Sequence, residues 1–567
     1  MRNPFIKVLK LVIGKRPKYT NTTILVLILG ALYATFPLLY NQEFIRGGWD
    51  LSNHINWSFQ VSAGFNEGIL YPRWLSASNG GYGSPTMIFY SPLFYWVTGF
   101  MNLFVPSLIV SLKITIFIGF LLSGISMYLF LKNFCNHVGS AVGGIAFQLL
   151  PYHIFDFYIR ETLSETFAFF CLPLILHFAY KASTKGTIIY WMGLSFSYTS
   201  LILTHIASAY IFTFILAATA LFYSIRGKSF NMLLKFLLAG LFGLSLSAIY
   251  FMPMFFEREF VHIEWLKNGP WRYNHNFLDM AQSRLSLFYI QLKRIVMLYL
   301  LLVIISLILA CYKWIKYRTL PNFYQFLFFL LIFAFSLFIS TSFSTPIWEL
   351  IPGFPTIHFP WRWLMVSTFA TSVMIGLTFN SFSLEDIKNN RFIRICMAVF
   401  LALFISNLYL SLSYIMTAKP MQKKELELIL MGRSDVIEYR PIWLTDKKKD
   451  FSQEPWVPVV FKEGVGNIDV LDWQSQSRAF RVDAALPSVL RVSTFYYPGW
   501  TALNNGREIP IGIEKDSGAM LINIPPGKNE VLLEFRDTPL RTVAKWISIV
   551  SLLAALFGLA MAKRKSY

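Results

Sequence analysis

In the segment GGWDLSNHINW, Asp50 stands one helical turn before His54. If DLSNH opens a helix, Asp50 can cap its N-terminus, or His54 can share its face one turn on. The cap is the plainer role. The chemical role is a carboxylate at a membrane surface, where partial desolvation raises its basicity toward that needed to take a proton from a sugar hydroxyl. Arg160, Glu161 and Glu165 lie in the short connection IRETLSETF between two apolar stretches. Charges this near hydrocarbon are costly without partners or water. They either close a helix hairpin as an ion pair or form a second acidic site facing Asp50. Two opposed carboxylates, Asp50 and Glu161, could also hold a divalent cation such as magnesium or manganese together with phosphate oxygens. Nothing in the sequence requires that cofactor.

Arg73 in YPRW, Arg258, Lys267 and Arg272 in one polar segment, and Arg362 in HFPWRW are basic groups beside aromatic ones. Singly, each reads as an interfacial anchor, since Arg and Trp favour the headgroup zone. As a set they could bind a phosphate or diphosphate, for which the Arg fork is bidentate. His54, Arg160, His205 and His358 complete the expected substrate-binding group. His358 and Arg362 share a face only if a helix begins before them.

These residues must be positioned by membrane spans. The chain is 55% apolar and only 14% charged, against roughly 25% charged in soluble proteins. Its apolar runs of about 20 residues match the hydrocarbon thickness. Twelve spans are expected, near 22–40, 108–131, 139–156, 166–180, 187–205, 207–225, 234–255, 295–312, 322–342, 361–381, 394–416 and 542–562. The first is read as a retained span, because it is long for a signal peptide and no small-x-small cleavage site precedes NQEF. The basic N-terminus places that end in the cytoplasm. Alternation then assigns 21 of the 50 Lys and Arg to inward segments, with only Glu385 and Asp386 as acids, and leaves 29 basic and 28 acidic residues elsewhere. The net charge of +20 is thus largely a topology signal. A nucleic-acid partner is excluded, because the basic residues are scattered over short segments rather than gathered on one face.

Three connections on the other side are long enough for chemistry. The first, 41–107, ends in the apolar stretch TMIFYSPLFYWVTGFMNLFV, which we place in the interface because of Pro92 and its Tyr and Trp rings. A span there would also invert every later loop. The second is 256–294. The third, 417–541, alternates apolar and polar residues in VLRVSTF, EIPIGI, AMLINI and EVLLEF between NNG and PPGKN turns, the pattern of a small antiparallel β-sandwich. The expected domains are therefore 1–416, 417–541, and a final span with its basic tail at 542–567. Six of the eight histidines, His54, His153, His205, His262, His275 and His358, map to outer loops or outer ends of spans, marking that face as the working one. The four cysteines fall in or beside spans and offer neither a disulfide framework nor a zinc site. There is no GxxxxGK[ST], HExxH or GxSxG motif, and the span interiors are nearly free of charge, which argues against ATP-driven, zincin, α/β-hydrolase and ion-coupled chemistry.

The early Asp in a large first loop, the aromatic-proline helix FYSPLFYW and the many spans resemble the GT-C superfamily of polyprenyl-phosphate-sugar glycosyltransferases. YPRWLSASNGGYGSPTMIFYSPLFYW resembles bacterial membrane proteins with a 6-pyruvoyl-tetrahydropterin synthase-related domain. HFPWRWL, FYYPGWTALNNGREIPI and INIPPGKNEVLLEF are similar to the YfhO-like family. The resemblance implies a GT-C-like polytopic α-helical protein of the bacterial cytoplasmic membrane, with both termini cytoplasmic. It also implies inverting sugar transfer from a polyprenyl-phosphate donor to an extracytoplasmic glycan, lipid or protein acceptor. On that pattern Asp50 matches the first-loop general base, Glu161 or Glu165 the second-loop acid, and Arg362 is our choice for a phosphate contact. The histidine cluster of a pterin synthase zinc site has no counterpart. A lipid-linked sugar transporter or flippase, which would carry polar residues through the membrane core, and a noncatalytic envelope scaffold are the alternatives.

Overall fold

The computed structural model describes residues 17–41, 44–46, 50–268, 271–280, 286–318, 322–431, 435–446, 448–449, 451 and 456–564. The basic residues before position 17, the Gly47, Gly48 and Trp49 that precede Asp50, and the Lys267 side chain lie outside the described residues. Most of the chain is helical. Among the described residues, nine helices are long and apolar enough to cross a membrane, or up to eleven if each of two bent pairs is one span. The pairs are Phe230–Leu246 with Ala248–Phe256, bent by 81°, and Phe323–Ile339 with Ser342–Leu350, bent by 91°. The stretch expected at 187–205 forms a shorter apolar helix, Ile188–Thr204.

The aromatic-proline stretch folds as two short helices, Thr86–Phe89 and Leu93–Asn102, separated by Tyr90, Ser91 and Pro92. Proline removes an amide donor and restricts the residue before it. The ten residues of Leu93–Asn102 rise about 15 Å, half of what a bilayer core needs. Pro151 similarly divides the span His137–Tyr158 into His137–Leu149 and Pro151–Tyr158.

Small residues bring the central helices together. A Cβ on Gly143 would lie 2.2 Å from Leu131, and one on Gly139 would lie 2.5 Å from the carbonyl of Gly376 in Leu364–Ser381. Close backbone approach of this kind is how apolar helices gain packing where lipid supplies no hydrophobic driving force.

At one end of the bundle sits a β-sandwich. One sheet orders its strands Val459–Glu463, Ser488–Phe495, Ala519–Ile524 and Ile511–Ile513. The other runs Gly466–Trp473, Ser477–Ala484, Gly527–Phe535, Trp500–Asn504 and Arg507–Ile509. Alternate side chains such as Phe480, Val482, Val531 and Leu533 are buried, as a pleat with one wet face requires.

The strands begin at Val459, well after position 417, and the intervening residues do other work. Lys419–Pro420 pairs antiparallel with Ile45–Arg46. Helix Lys423–Leu430 follows, and Asn56 Nδ2 donates to the Ile429 carbonyl at 2.7 Å. The sandwich core extends into the first long connection through Trp74, Tyr82, Ile88 and Phe89. Gly83 makes this docking possible: its φ is +84°, and a Cβ there would meet the Trp74 indole at 2.4 Å.

A buried ion pair fastens the junction between the sandwich and the last helix, Pro539–Arg564. Arg541 donates to Glu257 through Nε at 2.9 Å and Nη2 at 2.7 Å, and the Tyr497 hydroxyl donates to Glu257 at 3.1 Å. Both charged side chains are within a few per cent of complete burial.

Candidate functional site

Asp50 occupies the N-cap position of helix Leu51–Asn66 but makes no side-chain capping bond. Asp50 as a residue is exposed, so a ligand can approach it. Protein nevertheless crowds around it, and that crowding raises its proton affinity above the ordinary carboxylate value. Arg160 and Arg362 oppose the shift, and Glu165 adds to it. His54, one turn on, is buried, and its Nδ1 shares a 2.6 Å hydrogen bond with the Tyr95 hydroxyl. Burial, with His205 and Arg160 nearby, lowers its pKa to about 3. His54 is therefore neutral at physiological pH and acts as a hydrogen-bonding group beside Trp57 and Tyr95 rather than as a cation.

Within electrostatic reach of Asp50 runs a row of alternating charges: Asp156, Arg160, Glu165 and Arg362. Asp156 lies in the last turn of the helix Pro151–Tyr158, four residues before Arg160, which contacts it directly. The hydroxyls of Thr162 and Thr166 donate to Asp156 at 2.8 and 3.2 Å. Arg160 Nη1 lies 3.0 Å from Glu165 Oε2, and Arg362 Nε lies 3.2 Å from the same oxygen. The Arg160 guanidinium also covers the Trp361 ring at 4.5 Å, a cation–π contact. Local backbone geometry makes the row possible. Glu161 turns the chain at φ +57°, an unusual conformation for a side chain other than glycine. Leu163–Ala168 then starts with Glu165 in its first turn.

The row defines different roles for its acids. Glu165 is 1% exposed and shared by two arginines, so it orients them and is not open to solvent. Glu161 is also buried. Arg362 is the more accessible cation, its side chain 15% exposed against 4% for Arg160. Arg362 Nη1 donates to the Ile357 carbonyl at 2.8 Å. His205 caps Ile206–Arg226 by accepting from the Ser208 amide and lies within electrostatic reach of Glu165 and Arg362.

The other sequence candidates lie in different surroundings. Arg73 pairs with Asp537 at 2.8 Å and covers Tyr71. Arg258 is exposed against Phe255, and Arg272 is exposed and bonded to His275. His358 and Arg362 do not share an α-helical face. His358 has φ +65° between two 3-10 turns, and the α-helix starts only at Leu364. His153 is fully buried, stacked on Phe169 and Phe120. Among the described residues, no three His, Cys, Asp or Glu side chains gather as a metal ligand set.

Asp156, Asp435 and Glu438 escaped the sequence reading. For Asp156 the signal was present, a four-residue spacing to Arg160 in DFYIR. For the other two there was none, because they come from a segment far along the chain. Asp435 accepts from Trp57 and Thr86, while Glu438 is partly exposed and lies within electrostatic reach of Asp50.

Residues 87–415 match the model of a family described as the 6-pyruvoyl-tetrahydropterin synthase related domain, a membrane protein. The match includes the whole Asp156-to-Arg362 row and stops short of Asp50 and the sandwich. No curated protein matches the chain.

Proposed function

We propose, from the premise that the chain belongs to the 6-pyruvoyl-tetrahydropterin synthase-related family of membrane proteins, that it is a glycosyltransferase working at the outer face of a bacterial cytoplasmic membrane. The donor is a sugar on polyprenyl phosphate, and the acceptor is an extracytoplasmic hydroxyl. One observation carries the reading: Asp50, an exposed residue with a carboxylate of raised basicity, lies within electrostatic reach of a buried charge row that ends on a partly exposed arginine.

In the reaction the acceptor oxygen loses its proton to Asp50 and forms a bond to the anomeric carbon. The bond from that carbon to the phosphate oxygen breaks, and its electron pair leaves with the lipid phosphate. A single in-line displacement inverts the anomeric centre. Arg362 stabilises the departing phosphate, while Glu165, backed by Arg160 and Asp156, fixes the direction of its guanidinium. The donor's tail stays in lipid and only its charged head enters the site. The positive-inside count supports placing both termini in the cytoplasm and the sandwich outside.

Two measurements test these roles. A base must be unprotonated, so kcat/KM should fall as pH is lowered through the Asp50 pKa. Because that pKa is raised, the fall should begin at a higher pH than for an ordinary carboxylate of pKa about 4. An activity unchanged down to pH 4 would contradict the assignment. Arg362→Lys keeps the charge but loses the planar fork, so the donor KM should rise roughly tenfold, with the acceptor KM unchanged. A shift in the acceptor KM alone would move Arg362 to the other substrate.

A further inference from the structure

We infer that residues 435–440 form the acceptor wall of the Asp50 site and that the acceptor they receive is a saccharide. The inference rests on the transferase reading and adds the class of its second substrate.

The segment is fastened to the first long connection at three points. The Asp435 carboxylate accepts from Trp57 Nε1 at 3.2 Å and from the Thr86 hydroxyl at 3.0 Å. Tyr439 stacks on Phe89 with ring centroids 5.6 Å apart and planes 16° apart. Arg440 Nε donates to Asn79 Oδ1 at 2.9 Å. These anchors belong to the same local structure as Asp50. Trp57 lies on the helix that Asp50 precedes, and its ring packs 4.7 Å from Tyr90, the residue after Phe89.

The segment leaves Glu438 and the anchoring Tyr439 partly exposed, and Tyr90 of the first connection is partly exposed as well. Crowding and the charges of Asp435 and Asp50 raise the Glu438 pKa to about 7, so Glu438 lies within electrostatic reach of the proposed base. A partly exposed carboxylate flanked by tyrosine rings suits a sugar. Vicinal hydroxyls donate to the carboxylate, and the C–H face of a pyranose packs on an aromatic ring. An anionic acceptor head would meet Asp50 and Glu438 together and be repelled.

The test uses the full-length protein in lipid nanodiscs at pH 8, with saturation-transfer NMR on a mixture of cellobiose, maltose, chitobiose and mannobiose. Wild-type protein is expected to transfer saturation to at least one sugar. Glu438→Gln should weaken that sugar's binding roughly tenfold, Glu438→Asp should restore part of it, and Glu530→Gln on the sandwich surface should leave it unchanged. Absence of binding by every sugar, or equal binding by Glu438→Gln and wild type, overturns the inference. Release of lipid phosphate, assayed separately, reports on the transferase reading. Turnover without Glu438-dependent sugar binding sinks the acceptor wall alone, whereas binding without turnover for any donor sinks the transferase.

Discussion

Asp50→Asn is expected to lower sugar transfer by roughly 10²–10⁴-fold, the range a general base contributes, while the protein stays folded. The substitution is nearly isosteric, the residue is exposed, and its side chain makes no capping bond to the helix it precedes. Stability therefore has little reason to change, since surface substitutions away from special contacts usually move it by about 0.5 kcal/mol or less. The loss should appear in kcat with the donor KM little altered, because the phosphate is held elsewhere. The pair of measurements is turnover by purified variant and wild type, with thermal unfolding of both in the same detergent. Full activity in the variant would remove Asp50 from the chemistry, and a collapse in unfolding temperature would make it a structural residue.

The largest effect on stability should come from the junction of the sandwich and the last helix. Glu257→Ala leaves Arg541 charged, fully buried and without its carboxylate partner. Breaking such a pair typically costs about 3–5 kcal/mol, chiefly the desolvation of the orphaned charge. Two groups that the carboxylate also serves, the hydroxyls of Tyr497 and Thr538, lose their acceptor as well. The double variant Glu257→Leu/Arg541→Met should be less destabilised than Glu257→Ala, since apolar packing then replaces both charges. Thermal unfolding in detergent gives the comparison, and limited proteolysis should show the loosened sandwich. Additive losses in the double variant would show that the pair is not the source of the effect.

The sequence and the fold agree where a single periodicity decides the structure. Apolar runs located the spans, with Leu108–Leu131 found at the expected residues, and alternating stretches located the strands. The breaks were harder to read. Ser247 and the residues around Ser340 and Thr341 interrupt apolar runs that look continuous, and the helices bend there by 81° and 91°. The limits of 417–541 were also hidden. The composition changes there, but only tertiary contacts show that its first residues pair with Ile45–Arg46 and that Asp435 accepts from Trp57.

The candidate site was legible to a similar depth. Arg160 and Glu165 stand out as charges costly so near hydrocarbon and Arg362 as a basic group beside aromatics, and the fold joins the three into one row. Their order in that row could not be read, because it depends on the turn at Glu161 and on the late start of the helix after Arg362. Glu438 had no local signature at all. Its electrostatic reach to Asp50 comes with the docking of one connection on another, which no spacing in the sequence records.

The most direct test of the central claim is a balance of products. Purified protein in nanodiscs is incubated with a panel of polyprenyl-phosphate sugars and a mixture of glycan, lipid and peptide acceptors, and free polyprenyl phosphate and glycosylated acceptor are both quantified. Sugar transfer predicts that the two appear in equal amounts from wild-type protein and that neither appears from Asp50→Asn. Donor left intact by the wild type with every acceptor, or donor moved across a bilayer without being consumed, would contradict it.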